Sequence, residues 1–161
     1  MLQKTSGRAR CLSDTESWGI RIEGRQIGEE FVRRYLTEAG IDASQGRRTS
    51  ATAMLIAGLR VEIKTASLGA NGTFQFNHIR LDKPYHYLLC LGICPQTIVF
   101  DMWRKGAVAE EDAGHPVRMA EGQSVTWKLT KKLGDMKPIA ELPAEIRAES
   151  SARIKPPKKT K

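Results

Sequence analysis

The 161-residue chain has little cysteine and few aromatics, and it has no long apolar run. Three cysteines, Cys11, Cys90 and Cys94, are an odd number at no metal-ligand spacing, which argues against a disulfide scaffold and against a cysteine zinc site. His78, His86 and His115 show no ligand spacing either. No stretch reaches the length that crosses a bilayer, and the N-terminal residues lack the apolar segment of a secretory signal. These absences set the expectation of a reducing, cytoplasmic setting without a membrane partner. Carboxylates are also missing from one region: no Asp or Glu occurs between positions 43 and 61.

Basic charge is plentiful. The formal net charge is +8, an excess that suits a polyanionic partner. Five of those positive residues fall in 151–161, "SARIKPPKKTK", which contains no acid. That composition predicts a disordered basic tail behind a single domain at 1–150. A basic tail on an unrelated domain that binds RNA or ribosomes is one reading of the charge, although +3 remains in the body.

Along the chain, "GRQIGEEFVRRYLTEAG" at 24–40 places Ile27, Phe31, Val32, Tyr35, Leu36 and Ala39 on one helical face, with Gly40 as the stop. "ATAMLIAGLRVEIKTAS" predicts a hairpin with strands at 52–57 and 60–66 and a type II′ turn at Gly58-Leu59. In that register Met54 faces Ile63 and Ala53 faces Lys64. "FQFNHI" at 74–79 alternates, with Gln75 and Asn77 on one side and the phenylalanines on the other. "YHYLLCLGIC" at 85–94 is apolar throughout, as a strand covered on both faces would be. "TIVFDMW" and "SVTWKLT" are further strand candidates. The order predicts an α/β (α+β) domain built on a mixed β-sheet flanked by helices.

Glu62 and Lys64, in "GLRVEIKTAS", lie two apart on a strand and so share a face. A carboxylate beside an ammonium suits metal-assisted phosphodiester hydrolysis: the acid holds a hard cation and the amine orients water or phosphate. It equally describes a solvated ion pair of little consequence. "GLRVEIKTAS" followed by "FQFNHIR", behind the helix at 24–40, resembles the PD-(D/E)xK nuclease superfamily over residues 24–104. The resemblance implies a restriction-endonuclease-like core with a three-stranded meander. It also implies a Mg2+ (or Mn2+)-dependent endonuclease of restriction or homing type, acting on double-stranded DNA as a homodimer or higher oligomer and associated with a bacterial or phage nucleoid. It gives catalytic roles to Glu62, Lys64, Gln75 and Glu29, and metal ligation to Glu62, the Ile63 carbonyl and position 53. Arg47, Arg48, Asn77, Arg80, Lys131 and Lys132 are the DNA-contact candidates.

One departure stands out. The superfamily's aspartate on the preceding strand falls at position 53, which here is Ala53. Three explanations follow: an inactivating Asp→Ala change at 53, a natural relative that only binds DNA, or replacement of the lost acid by Glu29. The first is the expectation carried forward, and a non-catalytic DNA-binding module on the same fold is the alternative.

Overall fold

The first helix, α1 (Gly24–Glu38), buries Val32 and Leu36 completely. Phe31 and Tyr35 stack beside them at 5.5 Å. The helix ends in a Schellman motif. Gly40 takes φ +78, its N–H donates to the Thr37 carbonyl at 3.0 Å, and the Ile41 N–H donates to the Leu36 carbonyl at 2.9 Å. The computed structural model describes residues 24–44, 53–119 and 124–154.

Nine strands follow, hydrogen-bonded into two sheets. They are β1 (Ala43–Ser44), β2 (Met54–Ile56), β3 (Leu59–Ser67), β4 (Thr73–Ile79), β5 (Tyr87–Ile93), β6 (Ile98–Arg104), β7 (Val117–Met119), β8 (Thr126–Lys132) and β9 (Lys137–Pro138). A short helix α2 (Lys105–Ala109) follows β6, and α3 (Leu142–Ile154) closes the described chain. A six-stranded mixed sheet has the order β1-β2-β3-β5-β6-β9, and a three-stranded sheet has the order β4-β8-β7. The expected mixed α/β single domain is therefore present.

Strand alternation divides the core in two. Val61, Ile63, Leu89, Leu91, Phe100 and Met102 face α1 and α3 in one cluster. Leu88, Cys90 and Val99 face the second sheet, with Phe74, Phe76 and Leu129. Tyr87 through Gly92 are all buried, which matches the expectation for a strand covered on both faces. Cys90 and Cys94 are buried thiols without a disulfide.

Two expectations are corrected. The hairpin turns at Ala57-Gly58, both with positive φ (48 and 81), so the turn is type I′ rather than type II′. Met54 pairs with Val61, Leu55 with Arg60 and Ile56 with Leu59. The cause is Leu59, which is 1% exposed as the first residue of β3 and would have been in solvent within the expected turn. The shift is two residues, so both faces keep their membership. The meander is also absent. β4 pairs with β8, and β3 instead pairs in parallel with β5. The all-apolar β5 takes the centre, while β4, with one polar face, takes the outer layer. Gly92 makes room for it: a Cβ there would lie 2.7 Å from Phe74 Cζ.

At the C-terminal end, α3 continues through Ile154, four residues into the stretch expected to be disordered. Residues 155–161 lie outside the described residues.

Candidate active site

Glu62 and Lys64 meet as the strand period requires. Lys64 Nζ lies 3.0 Å from Glu62 Oε1, with side chains 15% and 7% exposed. This is not the solvated surface pair of the bland reading, because the Glu62 carboxylate lies on the side of β3 that packs toward the second sheet. Register then places Lys64 beside Cys90, and Cys90 beside Asp101.

Lys64 opens onto a pocket of about 410 Å3 lined by Ile63, Lys64, Thr65, Gln75, Asn77 and His78. The lining comes from β3 (Ile63, Lys64, Thr65) and β4 (Gln75, Asn77, His78), which run near one another here. Phe74 and Phe76 are fully buried, which turns Gln75 and Asn77 outward. A bulge between Phe76 and Ile79 sets His78 at φ +56. Its N–H donates to Met119 Sδ at 3.4 Å. His78 is exposed. Gln75 and Asn77 thus line one pocket with Lys64.

Ala53 also falls near the pair, by a different route. Continuing the observed register by one residue sets Ala53 opposite Glu62, not Lys64. It packs on the second core cluster, the Glu62 side of the sheet. A carboxylate at 53 would therefore neighbour the Glu62 carboxylate directly. With Ala53 in place the site offers one carboxylate among the described residues, and Lys64 already occupies one of its oxygens. No group of three or more His, Cys, Asp or Glu suited to a metal occurs among the described residues. The described residues therefore do not by themselves make up a magnesium site, which takes carboxylate, carbonyl and water oxygens. The Ile63 side chain is buried in the helix-side core.

The remaining candidates are placed elsewhere. Glu29 is half-buried on α1, whose apolar face packs on the opposite side of the sheet from Glu62; it does not line the pocket. Its neighbour Gly28 abuts Thr65 so closely that an added Cβ would fall 1.9 Å from Thr65 Oγ1. Arg80 donates from Nε and Nη2, one edge of its guanidinium, to the two Asp82 carboxylate oxygens, with Nε at 2.7 Å from Oδ1. That contact lowers the Asp82 carboxyl to about 2. Lys131 donates to the Ala113 carbonyl at 3.0 Å and covers the Trp103 ring at 5.1 Å. Arg80 and Lys131 thus have structural partners, whereas Lys132 is exposed at the end of β8. Arg47 and Arg48 lie outside the described residues.

Two groups near this face were not singled out in the sequence. Asp101 is 8% exposed; burial raises its carboxyl pKa, and Lys137 at 3.8 Å opposes the rise. A lone acid inside "IVFDMWR" was the available signal. The Tyr85 hydroxyl is buried without a hydrogen-bond partner among the described residues. Burial raises its pKa, and the negative charge of Glu62 adds to the rise. Nothing local in the sequence distinguishes Tyr85 from other core aromatics.

No family model matches the chain, and no curated protein matches it.

Proposed function

We propose that the chain is a nuclease domain of PD-(D/E)xK design acting on duplex DNA, with one metal-binding carboxylate missing at Ala53. The observation that carries this reading is the sheltered Glu62–Lys64 pair at 3.0 Å, opening on a pocket that Gln75 and Asn77 share. A structural ion pair needs no polar pocket beside it. Lys64 contributes a fixed positive charge at the pocket wall, where a phosphate oxygen would lie. Gln75 and Asn77 supply neutral hydrogen-bonding groups to orient it. With an acid at 53, that acid and Glu62 would hold a divalent cation, which would supply charge neutralisation and water activation. Two-strand cleavage by so small a domain calls for a homodimer.

The test is cleavage of a mixed duplex DNA library in magnesium, comparing this chain with Ala53→Asp. Cutting by Ala53→Asp alone supports the reading. Cutting by both chains moves the second ligand away from position 53. A second reading, a DNA-binding module without catalysis, is favoured by the single carboxylate at the site. It is selected if neither chain cuts while both bind duplex with a steep salt dependence.

A further inference from the structure

A second polar pocket lies at the opposite end of β3, where β3 and β5 begin together. His86 is pinned there by three main-chain contacts. Its N–H donates to the Arg60 carbonyl at 2.9 Å, and its carbonyl accepts from the Lys105 N–H at 2.9 Å. Its Nδ1 accepts from the Arg60 N–H at 3.2 Å. Arg104, Lys105 and, from the last turn of α3, Arg153 surround the ring, and with Tyr85 and Tyr87 they line a pocket of about 500 Å3.

This pocket has an excess of positive charge. Four cationic side chains, Arg60, Arg104, Lys105 and Arg153, come from residues at the pocket or bonded to His86. The acid joined to them is Glu149, which takes Arg104 Nη2 at 3.1 Å and the Tyr87 hydroxyl at 2.6 Å. Among the described residues, Lys105 Nζ meets the Lys83 carbonyl at 2.8 Å and the face of the Tyr85 ring.

The donors also outnumber the acceptors. A neutral imidazole offers one acceptor and one N–H. Because Nδ1 accepts from Arg60, the ring proton sits on Nε2. Arg153 nevertheless places Nη1 3.0 Å from Nδ1 and Nη2 3.2 Å from Nε2. The second contact sets a donor against a donor, so His86 cannot satisfy the guanidinium. Gly58 offers only a carbonyl at 3.4 Å. Protonating the ring would add another donor and a fifth positive charge. Burial and the charges of Arg153, Arg60 and Lys105 all lower its pKa. An anion with several lone pairs would satisfy these donors.

We infer that the His86–Arg153–Lys105 pocket binds a phosphate group, as a free phosphate, a terminal monoester or a backbone diester. Arg153 and the His86 Nε2–H would donate to its oxygens, as charge-assisted or polar hydrogen bonds, with Lys105 as the point charge. Arg60 to Lys64 spans about 13 Å of strand, so the pocket is separate from the Glu62–Lys64 site. It also stands without the nuclease reading, since it requires neither metal nor cleavage.

The experiment follows the His86 imidazole by NMR in the full chain without divalent metal. Inorganic phosphate, a short 5′-phosphorylated oligonucleotide and the same oligonucleotide without that phosphate are titrated at constant ionic strength. A saturable His86 shift is expected, weakened about tenfold or more in Arg153→Gln and in Lys105→Gln, as loss of a charge-assisted contact implies. Melting curves check that both variants fold; Arg153 is exposed and its replacement removes little packing. Tighter binding of the 5′-phosphorylated strand assigns the site to a terminal monoester. Equal and tight binding of both strands assigns it to a backbone diester, and response to inorganic phosphate alone assigns it to a free oxyanion. A His86 shift that chloride reproduces, that none of the three probes saturates, or that both variants retain unchanged would overturn the proposal.

Discussion

Replacing Lys64 by Met leaves the Glu62 carboxylate without its cation in a site where it is only 7% exposed. At the observed 3.0 Å separation, Coulomb attraction is about 5.5 kcal/mol for an effective dielectric near 20. Desolvation of both groups offsets much of that in the intact pair. Removal of one partner leaves the other's desolvation uncompensated, at about 3–5 kcal/mol for a fully buried pair. Lys64 retains 15% exposure, which puts the expected loss near the low end, about 3 kcal/mol. At roughly 2–4 °C per kcal/mol for a domain of this size, the melting temperature falls by about 6–12 °C. Glu62→Gln alone should also destabilise, whereas the double variant Glu62→Gln/Lys64→Met should recover about 2 kcal/mol relative to additivity. Urea unfolding followed by tryptophan fluorescence measures all four corners of the cycle. The loss should persist in 1 M salt, because sheltered pairs are screened far less than exposed ones. A loss of about 1 kcal/mol or less that disappears in salt is the behaviour of a surface pair, and would refute the argument that this face shelters a charged site.

Further outcomes follow from the same geometry. Ala53→Asp should melt below the parent without metal, since two carboxylates become neighbours. Magnesium at about 100 times its dissociation constant should then restore about 2.7 kcal/mol, or roughly 5–10 °C, in the variant but not in the parent; equal shifts in both would dissociate position 53 from metal binding. Gly92→Ala places a methyl 2.7 Å from Phe74 Cζ and 2.9 Å from Val99 Cγ2, and should cost about 1–3 kcal/mol in chemical denaturation through overpacking. Ala57→Asn should stabilise, because Asn tolerates the positive φ of 48 at the first turn position and Asn-Gly is the favoured type I′ pair; a lower denaturation midpoint would count against the turn assignment. Asp101 has a folded pKa raised by burial, so ionisation weakens folding as pH rises through that value. Asp101→Asn should accordingly be the more stable protein at neutral pH, with its advantage shrinking as pH falls through the Asp101 pKa; thermal melts across pH 3–8 would show the crossover or its absence.

Sequence alone was enough wherever the signal was periodic and local. Apolar spacing over 24–40 and the positive-φ glycine after it specified α1. Strict alternation in "FQFNHI" put the phenylalanines inside and Gln75 and Asn77 outside, and the unbroken apolar run of β5 marked a strand covered on both faces. The two-residue period also sufficed to put Glu62 and Lys64 side by side. What depended on partners distant in the chain was decided only by the tertiary structure. Whether Leu59 turned or was buried set the hairpin register, and its burial in the core moved Ala53 from Lys64 to Glu62. The departure of β4 to β8 depended on which strand claimed the edge of β3, a competition that no local window contains. Arg80 and Lys131, equivalent to other basic residues in sequence, were withdrawn from the pocket by Asp82 and by Ala113 with Trp103. Arg153 lay in a stretch whose composition indicated a tail, and only the packing of α3 carried it to His86. Local chemistry determined which residues share a face; long-range packing determined which faces meet, because burial free energy is gained only when distant segments close on one another.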